Sequence, residues 1–537
     1  MSSDWFDLRS LIPPTLSLLD DDPEDQAELD DGPGKLEALD RHTKLFMKLA
    51  VKGLSAWKEA VPDDSAIQPP QREGDLGCEP IGFGDLQIPS IDEDWPQDKM
   101  RLFAFRVLRS RAIPLVDKPD TWDSPAEAIG AFQSILPVGT LLARPTHRWE
   151  EMSSDAAQSR LAFAGLGALR LLPVEPEPDS GGDPDGAAWV SDFAWMSQFD
   201  VREGFERYGA VAYFGADQSI VRIHWSHAGR DVRPGDADWE HAKWAWRCSL
   251  MVGTTVADHL VGVHWLIANY VTMASRQHLG VDHPLRRLLK PFTWRTIAIN
   301  YSATYSLCPE RGFVHRASAL EYPSLKAAFE ASVAMLRYQT PPELIARKRC
   351  EHLGDDFPWA TDALALHEVI HDFVDDYVSL YFAGDAATRD PAVQAFWATV
   401  GGATPDLGLP ALTRDALVDL LAQFIWCVTG LHDAVGSVIE YALDPTFTAT
   451  KIRPGSEMAD VQASIQCLLI VALTGLEMPA LMGDFTQVCL DDAGVAAFRR
   501  FEAALSTLAD RIDAANQRRR WPCNSFNPRH LETGVSI

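Results

Sequence analysis

The feature that most constrains this chain is a long stretch of helical periodicity over residues 236–278, which carries His259 and His264 in its apolar part. In a regular α-helix, residues five apart point about 140° away from each other, so such a helix would not direct both imidazoles at one ion. A local π-type widening, which is common at functional sites, would bring both onto one face. A single histidine on an apolar helix is more often a hydrogen-bonded core residue than a ligand, so the pair alone leaves metal binding as the minority alternative.

The rest of the chain also favours a mainly α fold. Further helical patterns cover residues 99–111, 317–339, 358–382, 412–443, 458–477 and 491–517. Short strands are predicted at 210–214 and 219–225, and the composition of residues 173–187 predicts a loop. We expect two parts: an acidic and helical N-terminal attachment over 1–98, and one large helical catalytic domain with a few short strands over 99–537.

Composition excludes several classes of function. Lys and Arg number 48 and Asp and Glu number 76, which gives a formal net charge of −28. Such a chain is poorly suited to holding nucleic acid by its phosphates or to docking on an anionic membrane by charge, whereas a transient apolar contact with a membrane is compatible with it. The first residues lack the pattern of a secretory signal, and the eight cysteines show no CxxC spacing, so we expect reduced thiols and a cytoplasmic protein. The sequence indicates no oligomeric state.

Two further elements are candidates for a metal site. His432 lies in the apolar helical pattern 418–443, where an unpaired polar group costs about 1–3 kcal/mol, so it needs a polar partner or a metal. By itself it would more often be a hydrogen-bonded core residue. The final segment, Thr533–Ile537, is weakly apolar rather than charged, and a C-terminal carboxylate is a hard oxygen donor that can complete a histidine-rich ferrous site.

A competing motif lies at His367, Glu368 and His371, which satisfies the H-E-x-x-H pattern of zinc peptidases. That chemistry needs two histidines one helical turn apart and a glutamate as general base. The following residues are acidic where the peptidase helix normally continues uncharged, and no third ligand follows at short range. An amphipathic helix with histidines beside acidic neighbours is therefore the favoured interpretation, and a zinc peptidase is the alternative.

Several blocks of the chain together resemble the lipoxygenase family. The first comprises His259-x4-His264, Arg276-Gln277, His283-Pro284-Leu285 and Thr296–Asn300, and the later ones are Leu431–Val435, Met482–Phe485 and the terminal Gly534–Ile537. Upstream, Phe103–Pro114 is similar to the start of that family's catalytic domain, so the similarity extends over roughly residues 95–537. The same resemblance puts the His367–His371 motif on a helix that does not hold the metal.

This resemblance implies a lipoxygenase-like helical catalytic domain with a metal site between two long central helices, and without the family's N-terminal β-barrel lipid-binding module. It implies one non-haem iron per chain, held by His259, His264, His432 and the main-chain carboxylate of Ile537; manganese accepts the same ligands. The implied reaction is hydrogen abstraction from an activated methylene of a polyunsaturated fatty acid or similar apolar substrate, followed by addition of O2 to give a hydroperoxide. It implies no catalytic side chain beyond the metal centre.

The resemblance also assigns two pocket residues and exposes two departures. Ala303 falls at the family's stereochemical switch, and Leu307 where a leucine packs against the reactive carbon; plain helix core is the alternative for each. Gly436 stands where the family has an Asn, His or Ser ligand, so water or Ser437 would have to fill that place, or the site is five-coordinate. Ile439 replaces a glutamine. These departures keep a second hypothesis open: the same scaffold acting as a hydroperoxide isomerase or as an oxygenase of a non-fatty-acid metabolite.

Overall fold

The computed structural model describes residues 67, 69–70, 77–89 and most of 153–535; position 84 and, in the second range, 176–182, 184, 405–406, 437, 442–449, 457–462 and 464–478 are not described. The predicted boundary between residues 98 and 99, the helical pattern 99–111 and the block Phe103–Pro114 lie outside the described residues. So do most of the pattern 458–477 and the terminal Ile537. The division into an N-terminal attachment and a catalytic domain therefore stays a prediction.

Helices dominate the described residues, which confirms the predicted fold class. The α-helices are α1 (Asp155–Ala164), α2 (Trp239–Gly253), α3 (Asn269–His278), α4 (Pro284–Leu289), α5 (Thr296–Ser306), α6 (Phe313–Ala317), α7 (Tyr322–Met335), α8 (Pro341–Ala346), α9 (Pro358–Tyr381), α10 (Ala386–Arg389), α11 (Pro391–Ala403), α12 (Arg414–Trp426), α13 (His432–Gly436) and α14 (Asp492–Asn516). Two π-helical segments, Thr254–Ala268 and Cys427–Leu431, join α2 to α3 and α12 to α13. Short 3₁₀ turns cover Ala168–Arg170, Ala194–Gln198, Pro291–Thr293, Glu351–Asp356, Val438–Tyr441 and Thr486–Val488.

The strands are few and short, and all pair antiparallel. They are β1 (Cys78–Pro80), β2 (Gln87–Pro89), β3 (Leu171–Pro173), β4 (Ala187–Asp192), β5 (Val211–Gly215), β6 (Ile220–Trp225) and β7 (Arg230–Val232). β1 pairs with β2, and the other five form one sheet in sequence order. The two strands predicted from sequence are β5 and β6, each shifted by about one residue. Of the other strands in that sheet, β3 and β7 were missed because three-residue strands carry too little alternation to show in a sequence, and the six-residue β4 was missed as well.

Two continuous helices form the centre of the protein. The first runs over Trp239–His278 and the second over Arg414–Gly436, each including one π segment. Both are long and apolar enough to cross a bilayer, yet 78% and 83% of their most apolar windows are buried inside the protein, as in core helices. A helix that is apolar on all sides must be covered on all sides, and α7, α9 and α11 supply that cover. The packing of these helices brings parts of the chain that are distant in sequence next to the middle of the two central helices.

Candidate metal centre

The π segment Thr254–Ala268 determines how His259 and His264 are oriented. A π-helix is hydrogen-bonded from residue i to i+5, so residues five apart lie one turn apart on the same face. The structure thus contains the widening that two ligands at this spacing would require, and it puts the two imidazoles on one face. The second π segment, Cys427–Leu431, comes directly before His432 and was not predicted. Both central helices are therefore widened where they carry histidine.

Three imidazoles meet between the central helices. Nε2 of His264 lies 3.1 Å from Nε2 of His259 and 3.2 Å from Nε2 of His432. The ring centroids are 4.8–5.0 Å apart, and the rings are tilted against one another. His264 and His432 are buried, and His259 is partly exposed. Among the described residues this is the one group of three or more histidines, cysteines or carboxylates close enough to hold an ion.

Asn300 on α5 sets the proton position of His264. Its Oδ1 lies 2.7 Å from Nδ1 of His264, and its Nδ2 donates to the main-chain oxygen of His264 at 2.8 Å. Because the second bond fixes the orientation of the amide, Oδ1 is the acceptor and Nδ1 carries the proton. Nε2 of His264 is then unprotonated, with its lone pair directed at the other two imidazoles. Sequence reasoning missed this role of Asn300. The signal in the sequence was an asparagine in an apolar helical segment, and the structure buries it completely.

The surroundings keep the histidines neutral. Desolvation by the protein lowers the pKa of His259 and of His432 well below the usual histidine value, and the neighbouring imidazoles lower both further. Asp258 precedes His259 but does not supply a counter-charge to the cluster, because its carboxylate is paired with Arg170 (Nη2 to Oδ1 2.6 Å). Neutral imidazoles are the form that ligates metals.

This donor set fits a transition metal. Two nitrogens each about 2.1 Å from one ion and at right angles to each other lie about 3.0 Å apart, close to the separations found here. Three neutral imidazoles suit iron, and equally manganese when an oxygen donor is added. Metal-ligating histidines commonly donate their second N–H to a carbonyl or carboxylate, as His264 does to Asn300. The convergence of three Nε2 atoms, one of them fixed as an acceptor by Asn300, is therefore compatible with a shared metal ion.

Gly436 lies directly beside the cluster. A Cβ built on this glycine would be 2.6 Å from Nε2 of His259 and 2.9 Å from its Cε1. Real Cβ atoms essentially never come so close to another heavy atom. The position that departs from the family pattern therefore does face the histidines, and the space a side chain would need is taken by the imidazole of His259. Ser437 and the side chain of Ile439 lie outside the described residues.

The remaining predicted site residues fall into two groups. Ala303 is buried and Leu307 partly buried; both belong to the region of α5, downstream of Asn300, and the amide of Leu307 donates to the oxygen of Ala303 at 2.9 Å. Ile537 is not described, but Val535, two residues before it, is completely buried. A Cβ on Gly534 would lie 2.8 Å from the main-chain oxygen of Phe292.

The competing H-E-x-x-H motif lies on α9, apart from the histidine cluster. His367 is buried, Glu368 is exposed, and Nε2 of His371 lies 3.2 Å from Oδ1 of Asp419. The rings of His367 and His371 are 5.7 Å apart, and no third ligand among the described residues joins them. An exposed glutamate beside two histidines without a third ligand fits the amphipathic-helix interpretation.

Asn300 offers a direct test of the metal site. Because outer hydrogen-bond partners commonly change metal affinity by 10–100-fold, we expect Asn300→Leu to weaken metal binding by about that factor, measured by titrating metal into metal-free protein. Asn269→Leu is the matched control: Asn269 is equally buried, but its Nδ2 donates to the oxygen of Gln87 and not to a cluster histidine. Equal metal affinities for the two variants would show that Asn300 does not orient His264.

Comparison with known proteins finds similarity to lipoxygenases in both sequence and fold. The sequence model of the lipoxygenase family matches residues 232–442. The chain is 25% identical over 508 residues to a linoleate 9/13-lipoxygenase of Pseudomonas aeruginosa, covering 85% of this chain and 69% of that protein. It is 29% identical over 231 residues to seed linoleate 9S-lipoxygenase-3 of Glycine max, covering 38% of this chain but only 26% of the plant protein. A LOX variant solved in complex with arachidonate superposes with a TM-score of 0.70 at 15% identity, covering 86% of this chain and 79% of that one, which establishes the shared fold.

Proposed function

Since the chain belongs to the lipoxygenase family of oxygenating oxidoreductases, we propose that it is a non-haem iron dioxygenase of polyunsaturated fatty acids. The observation that carries the proposal is the meeting of His259, His264 and His432, whose Nε2 atoms converge at 3.1–3.2 Å between the two central helices. The relatives named after linoleate, and the structural neighbour solved with arachidonate, support a fatty acid as the substrate class.

We propose that the three histidines and the main-chain carboxylate of Ile537 hold one iron, with manganese as the other ion that this donor set accepts. When bound, the metal supplies the one-electron redox chemistry needed to remove a hydrogen atom from a methylene between two double bonds. The overall change adds O2 to the substrate and gives a hydroperoxide. Ala303 and Leu307 are proposed to line the part of the pocket that holds the reactive carbon.

The chain's own residues have three tasks in this proposal. Asn300 keeps the proton of His264 on Nδ1, so that Nε2 is available as a ligand without any rearrangement. Buried apolar side chains on the two central helices, such as Val261 and Val435, help to keep bulk water away from the reacting carbon. The salt bridge from Arg170 to Asp258 keeps a carboxylate beside His259 from turning towards the cluster.

The test is metal content and oxygen uptake measured on the same untagged sample. About one iron per chain, with oxygen consumption on linoleate and a conjugated-diene product, is the expected result. Zinc in place of iron, together with a peptidase activity that is lost in Glu368→Gln, would contradict the proposal and favour a peptidase. Iron with neither oxygen uptake nor a diene product would contradict fatty-acid dioxygenation.

A second reaction on the same scaffold is favoured by one observation. His259 occupies the space that a ligand side chain at position 436 would need, so the metal would have one protein ligand fewer than in the family pattern. An additional open coordination position on the metal suits binding of a preformed hydroperoxide. Conversion of linoleate hydroperoxide without oxygen uptake would identify an isomerase.

The proposed carboxylate ligand can be tested by extending the chain. One glycine added after Ile537 moves the terminal carboxylate by about 3.8 Å, which is more than any metal–oxygen bond length. We expect iron content to fall at least about tenfold while the thermal unfolding temperature changes little. The same glycine added before Met1 is the control, and unchanged iron in the C-terminal extension would refute the assignment of Ile537.

A further inference from the structure

A cavity that none of the three cluster histidines lines lies against both π segments. Its volume is about 610 Å³, within the usual range for small-molecule sites. One wall comes from Asp258, Gly262 and Leu266 of the first π segment, and another from Cys427 and Leu431 of the second. None of His259, His264 and His432 lines it, and neither do Ala303 and Leu307. It is therefore distinct from the metal centre and from the pocket residues proposed for the substrate.

Most of the cavity wall is apolar, and three of the residues that line it carry a buried polar atom without a partner. Nε1 of Trp195, the hydroxyl of Tyr338 and Oε1 of Gln423 are buried without a hydrogen bond to any described residue. Buried polar groups are nearly always hydrogen-bonded, so each of these atoms calls for an explanation. Because these atoms have almost no accessible surface, they do not face the cavity, and the surface that the cavity offers to a ligand stays mostly apolar.

Two arginines on the wall carry unneutralised positive charge. Arg337 and Arg347 are exposed, and neither forms an ion pair within the described part of the chain. Nη1 of Arg337 donates to main-chain oxygens, including that of Ala334 at 2.7 Å, and Nη1 of Arg347 donates to Oε1 of Gln339 at 2.9 Å. In a chain with a net charge of −28, unpaired cations beside an apolar cavity are a local exception.

The acidic residues on the same wall offset these arginines only in part. Asp258 is bound to Arg170, and Glu175 is paired with Arg349. Asp192 is the remaining carboxylate, and its Oδ1 accepts a hydrogen bond from the amide of Ala194 at 2.7 Å. The wall thus combines an apolar body with a cationic edge, which is complementary to an amphipathic anion.

We propose that this cavity is a second ligand site, for a long-chain monocarboxylate, whose alkyl chain lies between the π segments and whose carboxylate binds Arg337 and Arg347. Guanidinium groups match carboxylates in charge and geometry, and the apolar wall takes the hydrocarbon. This inference depends on the cavity alone and not on the oxidation proposed for the metal centre.

The test uses calorimetric titration of the full chain with dodecanoate, which has no double bond and so cannot be oxidised as a substrate of the proposed reaction. We expect binding that is abolished in Leu336→Trp, which fills the cavity, and weakened at least about tenfold in Arg337→Gln/Arg347→Gln. Leu380→Trp, on an exposed position of α9, is the control for the first variant. Arg518→Gln is the control for the second, because Arg518 is also exposed and bonded to a main-chain oxygen (2.9 Å to Ala514).

The variant Leu307→Trp distinguishes dodecanoate binding in this cavity from binding at the proposed substrate pocket. Dodecanoate binding that survives in Leu307→Trp and disappears in Leu336→Trp supports the second site. Binding that survives in Leu336→Trp and disappears in Leu307→Trp overturns it, and so does an absence of binding to the unmodified chain. The arginine variants lie on the surface and keep the test valid if Leu336→Trp does not fold. Absence of iron or of oxygen uptake would refute the proposed dioxygenase and leave this result unchanged.

Discussion

Protein in which Gly436 is replaced by Ala is expected to lose most of its bound metal, at least about tenfold in affinity, while its fold remains intact. The Cβ of alanine would lie 2.6 Å from Nε2 of His259, so the imidazole must move out of the cluster. Displacing a ligand costs more than disturbing its outer hydrogen bonds, which alone commonly changes metal affinity by 10–100-fold. The measurement is metal content after dialysis against a weak chelator, together with thermal unfolding.

Gly402→Ala is the matched control for this result. Gly402 is also a helical glycine, near the end of α11, and a Cβ there meets nothing within 4 Å. It should keep its metal and gain slightly in stability, since alanine favours a helix over glycine by about 1 kcal/mol. Normal metal content in Gly436→Ala would mean that His259 is held away from position 436 when metal is bound. Gly436→Asn then becomes the informative variant, because an asparagine would restore the family's ligand.

Replacing Arg519 by Met is expected to destabilise the protein by about 3–5 kcal/mol. Arg519 donates from Nη1 and Nη2 to the two carboxylate oxygens of Asp362, at 2.7 and 2.8 Å, and only 2% and 4% of the two side chains is exposed. Burial raises the pKa of Asp362, and the guanidinium of Arg519 opposes that rise. Without the arginine, an uncompensated carboxylate remains buried at the start of α9. Urea unfolding measures the loss.

Two variants check this interpretation. Arg500→Met breaks an ion pair between α14, which ends three residues before Arg519, and α9. Arg500 and Asp376 are 58% and 64% exposed, so the expected cost is below about 1 kcal/mol. The double variant Asp362→Leu/Arg519→Met removes both charges and should recover most of the stability, because apolar replacement of a buried pair is often neutral. A double variant as unstable as Arg519→Met would indicate that lost packing, and not the unpaired carboxylate, is the cause.

The sequence predicted the long helices α9 and α14 well because their periodicity extends over many turns. The helical patterns at 358–382 and 491–517 agree with α9 and α14 to within one residue at each end. The spacing of His259 and His264 showed that a π widening would be needed for both to face one ion, and the structure has that widening. The three-residue strands β3 and β7 could not be found in this way, because they form only through pairing with their neighbours.

The sequence by itself determined the features that depend on residue spacing within one element. These are the long helices, the polar residues within them, and the five-residue spacing of two histidines on one helix. Only the tertiary structure decided which groups meet them. His432 reaches His264 from 168 residues further along the chain, and Asn300 from 36. Only the structure shows that position 436 has no room for a side chain, because the second central helix lies against His259 there. Helical spacing relates residues on one helix, whereas contacts between helices depend on how their apolar surfaces pack, and that packing is a property of the whole chain.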